Sequence, residues 1–209
     1  MIPFIAAGAF LVGSAVTAAV TFLVKKNGPA KKIKGLVLLG LPSAGKTTFL
    51  KRLKSEMISE DESTTMNEKK TGEFTFKFNG QEILIKNVTD TPGANRYTHE
   101  YEKYKNFNGD IYFFFNVNGY LRYLENERIT NARLDQIYHV FKDKIDKNEV
   151  YIIGTHIDHL SLKTNEINEA INKKVEDKSY RSVLNNLYLT NLLDENSFKN
   201  LIEELYNKN

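Results

Sequence analysis

The chain has 209 residues, 41% hydrophobic and 26% charged, with four histidines and no cysteine. That balance describes a globular domain with an appendage and excludes a disordered or collagen-like chain. Without cysteine there is no disulfide framework, thiol nucleophile or thiolate metal site, and four histidines argue against a histidine-rich one. The net charge of +3 divides unevenly: residues 1–55 hold nine Lys or Arg and no acid, whereas the other 154 carry 20 basic and 26 acidic residues, or −6. The basic end therefore meets something anionic, and the acidic remainder argues against a nucleic-acid partner.

From Met1 to Val24 no side chain is charged, and the run stops at Lys25-Lys26. A helix of about 23 residues reaches roughly 34 Å, enough to cross a hydrocarbon core of about 30 Å. Residues 1–24 are therefore expected to form one transmembrane helix, with residues 2–24 in the bilayer. A cleaved secretory signal would carry a basic start and a shorter apolar core, and Met-Ile-Pro-Phe offers neither. Residues 25–32 read as a basic linker broken by Asn27-Gly28-Pro29. Lys25, Lys26, Lys31, Lys32 and Lys34 all follow the span. The positive-inside rule then predicts a single-pass protein, amino terminus out and globular part cytoplasmic. The same lysines suit anionic headgroups equally well.

Residues 33–209 alternate strand and helix. Ile33–Leu39 is a short apolar run, and Lys46–Ile58 has helical spacing through Leu50, Leu53 and Met57. Glu73–Phe78 and Glu82–Val88 alternate around Asn79-Gly80, which predicts a hairpin. Ile111–Val117 reads as a buried strand, Tyr120–Ile145 as a helix and Val150–Ile153 as another buried strand. Thr164–Glu176 is an amphipathic helix, Val183–Thr190 the last strand and Asn196–Tyr206 the last helix. This order predicts an α/β fold with a mostly parallel sheet of about six strands covered on both faces.

Gly40-Leu41-Pro42-Ser43-Ala44-Gly45-Lys46-Thr47 matches G-x-x-x-x-G-K-[ST], the Walker A pattern, between an apolar strand and a helix. Its backbone N–H groups and the helix dipole suit phosphate oxygens. Lys46 is expected to reach the β- and γ-phosphates and the Thr47 hydroxyl to hold Mg²⁺, with Thr48 completing the phosphate site. Asp90-Thr91-Pro92-Gly93 follows a strand, so Asp90 can reach the magnesium through water. Gly93 can offer its N–H to the γ-phosphate and pivot when that phosphate leaves. Thr155-His156-Ile157-Asp158 closes the next strand, where Asp158 can accept from guanine N1–H and the 2-amine, a donor pair adenine lacks.

These three motifs, in this order, resemble the small Ras- and Arf-like GTPases over residues 33–209. The resemblance implies a Ras-like P-loop NTPase domain that binds GTP or GDP with Mg²⁺ and works with a cytosolic effector or activating protein. With its amino-terminal span the chain is similar to the signal-recognition-particle receptor beta subunit and to bacterial Arf-like GTPases. Thr155 and His156 stand where the family usually has Asn-Lys, and Thr190-Asn191 where its last base-contacting loop lies. The switch threonine that closes on Mg²⁺ in this family is Thr64, Thr65 or Thr71 by spacing, with Thr65 favoured. The glutamine that positions water directly after the D-x-x-G glycine is replaced by Ala94. The expectation is therefore a membrane-anchored GTPase switch, with Lys46 and Gly93 as catalytic groups and slow or partner-dependent hydrolysis. A non-hydrolysing GTP-binding docking subunit is the alternative.

Overall fold

A computed structural model describes residues 31–33, 35–55, 68–78, 81–93 and 101–206. The predicted span 1–24, most of its linker, the hairpin turn Asn79-Gly80, Thr64, Thr65 and Ala94 lie outside the described residues. Among those described, no helix is long and apolar enough to cross a membrane.

The strands are β1 (Lys31–Ile33), β2 (Leu36–Gly40), β3 (Lys69–Thr71), β4 (Phe74–Phe78), β5 (Gln81–Ile85), β6 (Val88–Asp90), β7 (Asp110–Asn116), β8 (Val150–Thr155) and β9 (Leu187–Leu189). The helices are α1 (Lys46–Leu53), α2 (Val117–Arg122), α3 (Leu124–Val140), α4 (Lys142–Asp146), α5 (Thr164–Lys174) and α6 (Glu195–Tyr206). Six strands form the main sheet in the order β3-β6-β2-β7-β8-β9, parallel except for β3. A three-stranded sheet, β1-β5-β4, continues it. Lys31 pairs with Ile83 and Leu36 with Val88, while Phe74 pairs with Ile85 and Thr71 with Val88. Register is thus kept across the breaks, so three long strands bend from one sheet into the other.

Strand alternation sends neighbouring side chains to opposite faces. Val37, Leu39, Ile111, Phe113, Phe115 and Ile152 meet α3 and α5 through Leu134, Ile137, Ile167 and Ile171. Leu36, Leu38, Tyr112, Phe114 and Ile153 meet α1 and α6 through Phe49, Leu50, Leu201 and Leu205. The predicted six-stranded sheet covered on both faces is what the chain forms.

Two local expectations are corrected. Tyr120–Ile145 is three pieces rather than one helix. Tyr123 is extended (φ −122°, ψ 121°), and the chain restarts with Leu124 85% exposed. At Phe141 the chain bends again, burying that ring and letting Lys144 reach Gly109 O at 2.9 Å and Glu149 at 2.7 Å. The last strand is also shorter than Val183–Thr190, because Arg181–Asn186 coil into a 3-10 turn that buries Val183 and Leu184. Only Leu187–Leu189 finds a partner on β8.

Candidate functional site

The sequence motifs converge on one edge of the main sheet, at the carboxyl ends of β2, β6, β8 and β9. Parallel α/β sheets place their ligands at this edge. Gly40 ends β2 at φ 135°, and an added Cβ would collide with the backbone of Phe114 on the neighbouring strand. Ser43 (φ 52°) and Gly45 (φ 86°) are both left-handed, so the loop curls into a concave run of N–H groups. Pro42 has no N–H, which leaves the donors to its neighbours. α1 then starts with Gly45 as a side-chain-free cap and no acid in its first turn. Its leading N–H groups stay open to an anion.

Lys46 is buried, and its Nζ donates to Leu41 O at 2.9 Å and Gly40 O at 3.2 Å. The ammonium therefore arches back over the loop it starts from. Burial lowers its pKa to about 8, with nearby Asp90 pulling the other way. Thr47 Oγ1 donates to Asp90 Oδ2 at 2.8 Å, and Thr48 lies half-buried beside it. Asp90 Oδ1 is buried without a hydrogen-bond partner, and burial raises this carboxyl despite Thr47, Lys46 and Lys69. An orphaned carboxylate oxygen beside a threonine hydroxyl is the donor set of a hard cation such as Mg²⁺. The residues present fit that ion.

Gly93 lies directly on the loop, where a Cβ would collide with the backbone of Leu41 and Pro42. Thr91 secures the strand end through its N–H and hydroxyl, both donating to Leu38 O at 3.1 and 2.8 Å. Thr71 pairs with Val88 on the edge strand β3, while the site's carboxylate ends β6 at Asp90. Structure thus places Thr71 two strand positions from Asp90, on the opposite strand.

Thr155 ends β8 fully buried, its Oγ1 3.1 Å from Ala44 O and 3.2 Å from Phe115 O. This bond joins the base-side loop to the phosphate loop. His156 takes a left-handed turn (φ 59°), and its Nδ1 lies 2.8 Å from Thr155 Oγ1. Burial is the largest of the effects that keep this imidazole below the usual histidine range. Asp158 is exposed, with Oδ2 3.3 Å from His159 Nε2. Thr190 and Asn191 build their own loop. Thr190 Oγ1 lies 3.1 Å from Ser197 Oγ, and Asn191 Oδ1 accepts from the Leu193 N–H at 2.9 Å.

Two features of the site escaped sequence reasoning. Leu192 is buried against Gly45, where a Cβ would strike its Cδ1, and Arg52 Nη1 donates to Leu192 O at 2.6 Å. The loop after β9 is thereby pinned to the phosphate loop and α1. Its signal was faint, a Leu192-Leu193 pair in an otherwise polar stretch with nothing to say which of the two is buried. Tyr101 and Arg133 are also buried together, with the Arg133 guanidinium carbon 5.8 Å from the Tyr101 ring centroid. No curated protein sequence matches this chain. Residues 35–207, however, match the model of the Ras family, and with this phosphate loop in its strand–helix setting the chain belongs to that family of small GTPases.

Proposed function

We propose that this small GTPase is a membrane-anchored switch that binds GTP and GDP with Mg²⁺ and hydrolyses GTP slowly or with a partner's help. The observation that carries the reading is the foot of the phosphate loop, where Thr47 and the half-satisfied Asp90 carboxylate stand beside buried Lys46. In this reading the Lys46 ammonium turns from its loop carbonyls to the β- and γ-phosphates. The N–H groups of residues 41 and 43–47 surround the phosphate oxygens. Thr47 and Asp90 hold Mg²⁺, which when bound neutralises phosphate charge. Gly93 supplies an N–H on the γ-phosphate side and follows that phosphate when it leaves. Thr155 keeps the base loop in step with the phosphate loop, His156 covers one face of the base, and Asp158 turns from His159 to accept from guanine.

Ala94 carries no group to orient water, so hydrolysis is slow unless a partner supplies one. The same residue favours a second reading, a GTP-binding docking subunit at the membrane that does not turn over. Residues 1–24 anchor the chain with its GTPase domain cytoplasmic, supported by a charge-free run ending in lysines. In that respect the chain resembles the signal-recognition-particle receptor beta subunit and Arf-like proteins.

The base assignment is tested by Asp158→Asn. The amide turns one acceptor into a donor, which opposes guanine and matches the 2-carbonyl of xanthine. A site built on such bonds rejects a mismatched base. The variant should lose GTP affinity at least tenfold, about 1.4 kcal/mol, and gain xanthosine triphosphate binding. Parallel titrations that show no shift between the two nucleotides reduce Asp158 to a loop residue.

A further inference from the structure

Arg52 comes from the last turn of α1, the helix that begins with Lys46, and reaches across to the loop after β9. Its Nη1 donates to Leu192 O at 2.6 Å, and its Cζ lies 4.7 Å from the Phe198 ring centroid on α6. A guanidinium stacked on a ring keeps its plane, so its donors keep their aim. The loop it holds has few freedoms left. Thr190 N–H donates to Gly154 O, Asn191 N–H to Ser197 Oγ and Leu193 N–H to Asn191 Oδ1, each at 2.9 Å. Between them the Leu192 N–H takes no hydrogen-bond partner among the described residues. The peptide planes on either side of it are anchored, one by Ser197 and the other by Arg52 and Asn191. That fixes the plane which carries the open N–H. The Leu192 side chain is buried on Gly45, where an added Cβ would lie 2.5 Å from Leu192 Cδ1 and 3.6 Å from Thr155 Cγ2. The open donor thus belongs to a residue wedged against the phosphate loop, beside the segment that leads to Asp158.

We infer that Arg52 is a positioning residue for base recognition: by holding Leu192 O it aims the Leu192 N–H at position 6 of the purine. Guanine carries a carbonyl acceptor there, and adenine an amine donor. A backbone N–H held in one direction is satisfied by the first and left facing another donor by the second. Asp158 reads the N1–H and the 2-amine, so the two contacts judge different groups on the same ring. Without the Arg52 bond the Leu192 carbonyl is free to turn, and the peptide before it turns with it. Arg52 and Lys46 share α1, so the helix that meets the phosphates also sets the height of the base-side donor. This inference rests on the guanine-nucleotide reading given above.

The test uses the full chain in detergent with Mg²⁺, where GDP, 6-thio-GDP and IDP compete against fluorescent GDP. The thio analogue keeps the N1–H and 2-amine but has sulfur, a weaker acceptor, at position 6. IDP keeps the 6-oxygen and lacks the 2-amine. Wild type should bind GDP about tenfold more tightly than 6-thio-GDP. Arg52→Met keeps an unbranched stem and good helix propensity but removes every donor. It should lower that ratio to about two, while the GDP-to-IDP ratio, which reads Asp158, stays at the wild-type value. Phe198→Leu removes the ring beneath the guanidinium and should shift the first ratio the same way by less. The double variant should lose no more than Arg52→Met, because the ring acts through the guanidinium. A GDP-to-6-thio-GDP ratio unchanged in Arg52→Met overturns the inference, even if all three nucleotides weaken together. So does a fall in both ratios that tracks a lower thermal midpoint, the mark of a merely structural bond, or a wild type that does not separate GDP from 6-thio-GDP. If Arg52→Met fails to fold, the ratios in Phe198→Leu decide alone. A wild type that binds none of the three overturns the guanine-nucleotide reading as well.

Discussion

Lys46 shows how one buried charge prepares the site. Moving an ammonium from its ordinary 10.5 to about 8 disfavours its charged form by about 3 kcal/mol in the folded chain. Because the folded value lies below the unfolded one, that penalty is present in full below pH 8. It lifts as pH rises from about 8 to 10.5, so the nucleotide-free protein gains stability across this window. Bound phosphates favour the charged lysine and move its pKa back up. Nucleotide binding then takes up a proton above pH 8, and affinity should fall as pH rises, approaching tenfold per unit. GDP titrations in excess chelator at pH 7, 8 and 9 check this, and a flat profile would contradict it. Lys46→Ala removes the charge altogether and should weaken nucleotide binding at least a hundredfold in the same assay. Lys46, Thr47 and Asp90 were legible in the sequence because loop chemistry demands fixed residue types at fixed spacing. Arg133 was not. On an amphipathic helix an arginine reads as solvated surface, and only the packing of Tyr101 shows otherwise.

Among the elements, the hairpin was the most legible, since Phe74, Phe76 and Phe78 alternate towards one face and pack on the α1–α6 core. The buried strands β7 and β8 were equally plain as continuous apolar runs. The long helix was misread because helical spacing of apolar residues does not register a break at Tyr123 or the inward turn of Phe141. The last strand was overextended for a similar reason: Val183 and Leu184 are apolar and buried, yet they coil rather than pair. Where two elements meet at the site, space is the constraint. Gly93→Ala places a methyl against the Leu41 and Pro42 backbone, which cannot rotate aside as a side chain could. The two segments must part, costing roughly 1–3 kcal/mol of stability by the usual measure of overpacking. Denaturant unfolding of the nucleotide-free variant should show that loss, and an unchanged midpoint would mean the contact is slack.

At the scale of the whole molecule, the doubly covered sheet gathers the carboxyl ends of β2, β6, β8 and β9 into one edge, while β1 and the hairpin extend the opposite end. The fold class was legible because alternating strands and helices admit few arrangements. The placement of the last loop against α1 was not, since Arg52 and Leu192 lie 140 residues apart. The proposed anchor makes its own prediction. Neutralising Lys25, Lys26, Lys31, Lys32 and Lys34 removes the bias that orients a single span. Protease digestion of sealed vesicles should then find the GTPase domain on both sides, whereas an unchanged pattern would refute the topology. The central claim is that the site binds guanine nucleotide through a magnesium-assisted phosphate loop. The most direct measurement is competitive titration of the purified full chain with GTP and ATP, each with and without Mg²⁺. The account predicts GTP at least a hundredfold tighter than ATP and weakened by removing Mg²⁺. Equal affinity for the two nucleotides, or a preference for ATP, would contradict it.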